Sequence, residues 1–191
     1  MNEGMGLRGW VAAVALLLGI CLFAPPACAQ VESVFPAGTV TLTSIGSYGH
    51  SFDSHRVMLG TFNVGAGYYI FNNFALNLEA GYQRHDQSGP NADVVMLDML
   101  FRHHLFHWKR FSFFIDFGLG VSYANERTPP HGTYFNFMEE AGLGSTIHIK
   151  DNIHLLTGAR FFHMSNARID GPEHNPSLNA WQVYGGIMFK L

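Results

Sequence analysis

The sequence predicts an all-β fold, an eight-stranded antiparallel transmembrane β-barrel. Three observations predict it. Apolar residues alternate with small or polar ones over repeated long segments, and period two puts the two kinds on opposite faces of a strand. Aromatic residues make up 14% of the chain and charged residues only 13%, against roughly 25% charged in soluble domains. After the N-terminal region no stretch is apolar for long enough to form a spanning helix. A closed sheet is then the other way to satisfy every backbone group in lipid.

The elements follow in order. Arg8 precedes the apolar run Trp10 to Phe23, then Pro25-Pro26 and Ala27-Cys28-Ala29 before Gln30. This is the layout of a secretory signal peptide with small residues at the cleavage site. Its apolar core is shorter than the roughly 20 residues of a spanning helix. The expected organisation is a leader over residues 1–29 and one barrel domain over 30–191. Both cysteines, Cys21 and Cys28, fall in the leader, so the mature chain is expected to have neither disulfides nor thiolate chemistry. A formal net charge of −3 supplies no basic field for nucleic acid.

Strands are predicted over 38–49, 56–71, 74–84, 93–105, 110–123, 134–149, 153–164 and 181–191. The fifth is the clearest: Phe111, Phe113, Ile115, Phe117, Leu119, Val121 and Tyr123 share one face. The second changes parity near Gly60, which predicts a bulge there. Eight strands make a barrel filled by side chains rather than an open pore. Glu79, Asp98, Arg102, Asp116, Glu140 and Arg160 take the inward phase and form a candidate charge network. Glu139 takes the lipid-facing phase, which predicts a local bulge or register shift at that point.

Connections near residues 71–73, 106–109 and 150–152 are short. Those near 50–55, 85–92, 124–133 and 165–180 are mostly longer and richer in Pro, Gly, Asn and Asp. Outer-membrane barrels have short periplasmic turns and long external loops. Residues 163–180 are therefore expected at the external rim.

In the seventh strand Arg160 belongs inside, which puts His163 and Ser165 together on the outer wall. An imidazole beside a hydroxyl can act as its base. On spacing alone, two polar groups that merely sit in the headgroup zone are the better explanation of the pair, since His-x-Ser is a common pattern. Histidines also recur at His103-His104-x-x-His107. Adjacent strand residues face opposite sides, so His103 and His104 cannot reach one metal ion, and no metal is expected.

The run Gly158-x-Arg160, His163-Met-Ser165-Asn166-Ala167, then Asn175-Pro176 and Gly185-Gly186 in the last strand resembles the lipid A 3-O-deacylase family of Gram-negative outer membranes. The similarity is specific over 158–191 and architectural before that. It implies a serine esterase that removes the ester-linked 3-hydroxyacyl chain from the 3 position of lipid A, without a cofactor. Its substrate partner is lipopolysaccharide in the outer leaflet, and a homodimer is compatible with it. Carried over, Ser165 is the nucleophile and His163 the general base. The family's glutamate corresponds here to Asn179, which can orient an imidazole but cannot balance its charge. Glu173 offers an alternative acid in the same loop, with Asp170 a weaker one. Asn166 and Asn175 have family counterparts near the oxyanion. The competing class is a non-catalytic small outer-membrane barrel with a structural or binding role.

Overall fold

Alternation shapes the whole described chain in a computed structural model that describes residues 34–53, 56–171 and 174–191. The predicted leader and Glu173 lie outside the described residues. Eight strands form: β1 (Val40–Ser51), β2 (Met58–Phe71), β3 (Phe74–Asp86), β4 (Ala92–Trp108), β5 (Phe111–Thr128), β6 (Thr133–Lys150), β7 (Ile153–Ser165) and β8 (Leu178–Lys190). Each pairs antiparallel with its neighbour in sequence, and β8 closes on β1 from Thr41↔Lys190 to Ser51↔Ala180. Closure leaves no unpaired sheet edge. One end of the barrel carries the two-residue connections 72–73, 109–110 and 151–152. The other carries 52–57, 87–91, 129–132 and 166–177. Strands β4 to β6 run further than their sequence pattern predicts, so the connection expected over 124–133 shrinks to a four-residue turn.

The exterior is apolar. Leu78, Val95, Leu143 and Val183 are each more than half exposed. A surface so apolar around a closed barrel suits lipid rather than water. The interior has three levels. At the end with the longer connections, Val57, Leu59, Met96, Met138, Phe162, Met164 and Leu178 pack into one buried apolar cluster. The middle holds the predicted charges, all inward and buried. Arg102 makes a bidentate pair with Asp116 at 2.8 Å through both nitrogens. Arg160 reaches Glu140 at 3.0 Å, Asp116 at 3.3 Å and Glu79 at 3.5 Å. Room for Arg160 comes from Gly142 opposite it: an added Cβ there would stand 2.7 Å from the Arg160 Cγ. At the end with the two-residue turns, Phe35 tucks inside against Tyr69, with ring centroids 4.8 Å apart.

Two local expectations are corrected. β2 pairs with β1 without interruption from His50↔Met58 to Val40↔Tyr68, so no bulge exists at Gly60. The irregularity of β2 lies at Tyr69–Phe71, against β3. Leu59 had suggested a parity change because it is apolar yet points inward, into the buried cluster. Glu139 also sits in unbroken register, opposite Leu119 on β5 and His163 on β7. It faces outward by alternation alone.

Candidate active site

Strand β7 presents the expected pair on its outer face. Phe162 and Met164 point inward with no exposed surface, while His163 and Ser165 are partly exposed on the outside. The two anchors embed the strand in the apolar cluster on either side of His163, and this fixes its facing direction. Ser165 lies opposite Phe137 on β6. His163 lies between Glu139 on β6 and Asn179 on β8.

The sharpest contact is with Asn179. His163 Nδ1 and Asn179 Oδ1 are 2.8 Å apart. An amide oxygen only accepts, so Nδ1 carries the proton and donates it to Asn179. The lone pair is then left on Nε2, the nitrogen a general base uses. Asn179 is itself held at both main-chain groups. Its N–H donates to the Asp53 carboxylate at 2.7 Å, and its carbonyl accepts from Phe52 N–H at 3.0 Å. Neither His163 Nε2 nor Ser165 Oγ has a hydrogen-bond partner among the described residues. Two residues apart on a strand, their Cα atoms are separated by about 6.6 Å, a gap that two side chains can span.

Sequence placed Asn179 in a loop. It lies instead on β8, because Leu178 and Ala180 point into the apolar cluster and extend the ladder beyond the predicted start at 181. Asp53 was not anticipated at all, since only the β1–β8 closure brings it to Asn179. The contrary outward phase of Glu139 was the available signal for that residue.

The connection after Ser165 is tightly built. Asn166 begins a turn closed by Ile169 N–H donating to its carbonyl at 3.1 Å. Ala167 and Arg168 inside it have φ of 53° and 64°, a left-handed conformation that is unfavourable by roughly 1 kcal/mol or more per non-glycine residue. Asn166, 3% exposed, holds it in place. Its Oδ1 accepts from Arg168 N–H at 2.8 Å and its Nδ2 donates to the His174 carbonyl at 2.9 Å. Its main-chain N–H donates to Asn175 Oδ1, also at 2.8 Å. Both ends of the Asn166 amide are thus committed. The Asn175 amide nitrogen has no acceptor among the described residues. Asp170 is not the hydrogen-bond partner of His163 Nδ1, which is Asn179. It helps line a cavity of about 480 Å3 with Tyr123, Arg127, Tyr134, Phe135 and His174.

On the other side of His163 the wall turns aromatic. Phe161 and Trp181 meet edge-on with centroids 5.7 Å apart, and Phe52 lies 6.0 Å from Phe161. The outer face thus brings together an imidazole, a hydroxyl and the Asn175 amide nitrogen beside an apolar wall.

Known proteins share this architecture. The crystal structure of the outer membrane enzyme PagL superposes with a TM-score of 0.63 at 18% identity, covering 75% of this chain and 97% of that one. Neisserial surface protein A follows at 0.56 and 13%, covering 80% and 96%. The outer membrane protein OprG from Pseudomonas aeruginosa matches at 0.55 and 8%, covering 82% and 97%. These likenesses establish the barrel fold. No curated protein matches the sequence. The model of one family, described as Lipid A 3-O-deacylase (PagL), matches residues 73–187. That span takes in most of the barrel together with His163, Ser165 and Asn179, and this chain belongs to the Lipid A 3-O-deacylase (PagL) family of the Gram-negative outer membrane.

Proposed function

We propose that this protein is a serine esterase that acts in the outer leaflet and removes the 3-hydroxyacyl chain from the 3 position of lipid A. The observation that carries the reading is the 2.8 Å contact between His163 Nδ1 and Asn179 Oδ1. It fixes the tautomer that leaves Nε2 basic on the side chain nearest Ser165 along the same face.

In this reading Ser165 Oγ attacks the ester carbonyl carbon while His163 Nε2 takes its proton. The tetrahedral oxyanion is met by the Asn175 amide and by the Ala167 main-chain N–H, the member of the 166–169 turn that donates to no other group among the described residues. The bond between the acyl carbon and the sugar's ester oxygen breaks as His163 returns the proton to the departing sugar alkoxide. Water, deprotonated by the same imidazole, then releases the fatty acid and restores Ser165. Substrate closes the gap between Nε2 and Oγ, as catalytic hydrogen bonds often tighten only in the complex. A site on the outer wall suits an ester carried by a membrane lipid. The neighbouring cavity, with Arg127 and aromatic walls, suits a phosphorylated sugar head.

The test is mass spectrometry of lipid A from cells expressing the chain. Loss of one 3-hydroxyacyl group is expected, and Ser165→Ala is expected to abolish it, lowering the rate by about 10³-fold or more, while the barrel still assembles. Unmodified lipid A in cells with the assembled wild-type barrel would instead support a structural or binding barrel.

A further inference from the structure

The barrel mouth at the end with the two-residue turns is basic on its inside. We propose that it is a binding site for a phosphate group, carried by a phospholipid headgroup of the adjoining leaflet or by a free phosphate. The inference is independent of the chemistry at His163 and Ser165.

The site follows from where the strand ends point. His148 on β6, His154 on β7 and Lys190 on β8 continue the inward phase of their strands beyond the charge lattice. His148 and His154 are directly paired across β6 and β7, with ring centroids 5.1 Å apart. Lys109 and Arg110 form the turn between β4 and β5. These five side chains line one cavity of about 270 Å3. Phe35 fills the lumen beside His154, with ring centroids 5.4 Å apart, so the cavity is a vestibule and not the entrance to a pore.

Charge decides what it takes. Lys109, Arg110 and Lys190 form no ion pair among the described residues. Asp151 is the one carboxylate among the described residues that line the cavity, and Lys150, which does not line it, approaches that carboxylate at 3.8 Å. Three permanent cations therefore face one acid that a fourth cation already attends. Such a balance repels a metal ion and draws in an anion. The frame around it is fixed by main-chain bonds. His148 donates from Nε2 to the Asp151 carbonyl at 3.0 Å and from its main-chain N–H to the Arg110 carbonyl at 2.8 Å. The Lys190 N–H donates to the Asn152 carbonyl at 2.9 Å. The His154 ring nitrogens have no hydrogen-bond partner among the described residues, so one of them is available as a donor.

Place selects the kind of anion. Basic and aromatic anchors at a membrane boundary ordinarily face the headgroup layer outside, and Lys109 reaches that way, its Nζ 4.6 Å from the Trp108 ring. Lys190 takes the inward phase instead, so the cations span the rim from the lipid-facing wall to the lumen. A guanidinium fork beside two ammonium groups matches the several acceptor oxygens of a phosphate, the anionic group of the headgroup layer. Short turns lie on the periplasmic side of outer-membrane barrels, which makes this the inner leaflet. The cavity is just smaller than the roughly 300–1,000 Å3 of pockets for drug-sized ligands. It suits a headgroup, with the acyl chains left on the wall outside.

The experiment uses the folded barrel in neutral detergent micelles at fixed ionic strength. Inorganic phosphate is titrated by calorimetry, and phosphatidylglycerol is followed as a bound adduct by native mass spectrometry. Arg110→Gln combined with Lys190→Gln is expected to weaken binding by about tenfold or more, the size of losing two charged contacts near a surface. Lys190→Arg, which keeps the charge, should retain binding, and so should Lys150→Gln, which removes a nearby cation from outside the cavity. A phosphatidylglycerol adduct that is lost in the double variant assigns the site to a headgroup. Phosphate binding without a lipid adduct assigns it to a free phosphate. Three results overturn the proposal: neither probe binds the parent, the double variant binds as well as the parent, or Lys150→Gln loses as much as the double variant.

Discussion

Across the β7–β8 pair, His163 Nδ1 donates to Asn179 Oδ1 at 2.8 Å. The bond sets the ring and its tautomer but brings no negative charge. Asn179→Ala should therefore lower kcat by about 10²-fold, through a misoriented ring, with little change in KM. Asn179→Glu should raise kcat by about tenfold by adding charge to an orientation already in place. Steady-state kinetics on lipid A in micelles measures both. A fall in kcat on Asn179→Glu would mean that the amide, not the carboxylate, is the group this site requires.

The two asparagines of the β7–β8 connection divide their work. Asn166 uses both ends of its amide to hold the turn, and Asn175 has its amide nitrogen left over. Asn175→Ala is expected to lower kcat by about 10²-fold, the size of one lost oxyanion donor, with the barrel equally stable. Asn166→Ala should release the strained backbone at Ala167 and Arg168. Its activity loss should then be accompanied by faster proteolysis between 166 and 177. Equal protease resistance in the two variants would contradict this division.

Arg102 and Asp116 form a fully buried bidentate pair. Arg102→Ala leaves a carboxylate without its main partner and should destabilise the barrel by about 3–5 kcal/mol. Replacing the pair by Met and Leu together should recover much of that. Urea unfolding in lipid vesicles reads both, and an Arg102→Ala barrel as stable as the parent would show that Arg160 alone compensates the acid.

Phe162 and Met164 provide a test of how the site is aimed. Phe162→Ala removes a ring with no exposed surface, a change that typically costs about 3–5 kcal/mol. Stability in urea should fall by that order, and activity should fall with it even in the fraction that remains folded, since His163 lies between the two anchors.

Much of the barrel was legible because most strands obey one rule, apolar outside and small or charged inside. The fifth strand follows it except at Phe114, a ring buried inside, and the inward charges at 79, 98, 102, 116, 140 and 160 follow it throughout. The rule fails near the end with the longer connections, where the interior is itself apolar. Leu59 inside that cluster looked like a change of parity, and Leu178 and Ala180 hid the true start of β8. The site was legible as a dyad because His163 and Ser165 share a strand. Its surroundings were not, since Glu139, Asn179 and Asp53 reach it only through pairing between strands. Glu139 broke the rule visibly, but period two cannot distinguish a bulge from a residue that belongs outside.

The barrel's filled interior has a kinetic corollary. With Phe35 at one mouth, a charge lattice in the middle and an apolar plug above it, nothing the size of a lipid can travel down the axis. Substrate has to arrive sideways, by diffusing within its own monolayer. The relevant abundance is then the number of target molecules per unit of membrane area. Diluting a vesicle suspension should leave turnover per enzyme unchanged, whereas adding inert lipid to each vesicle should slow it.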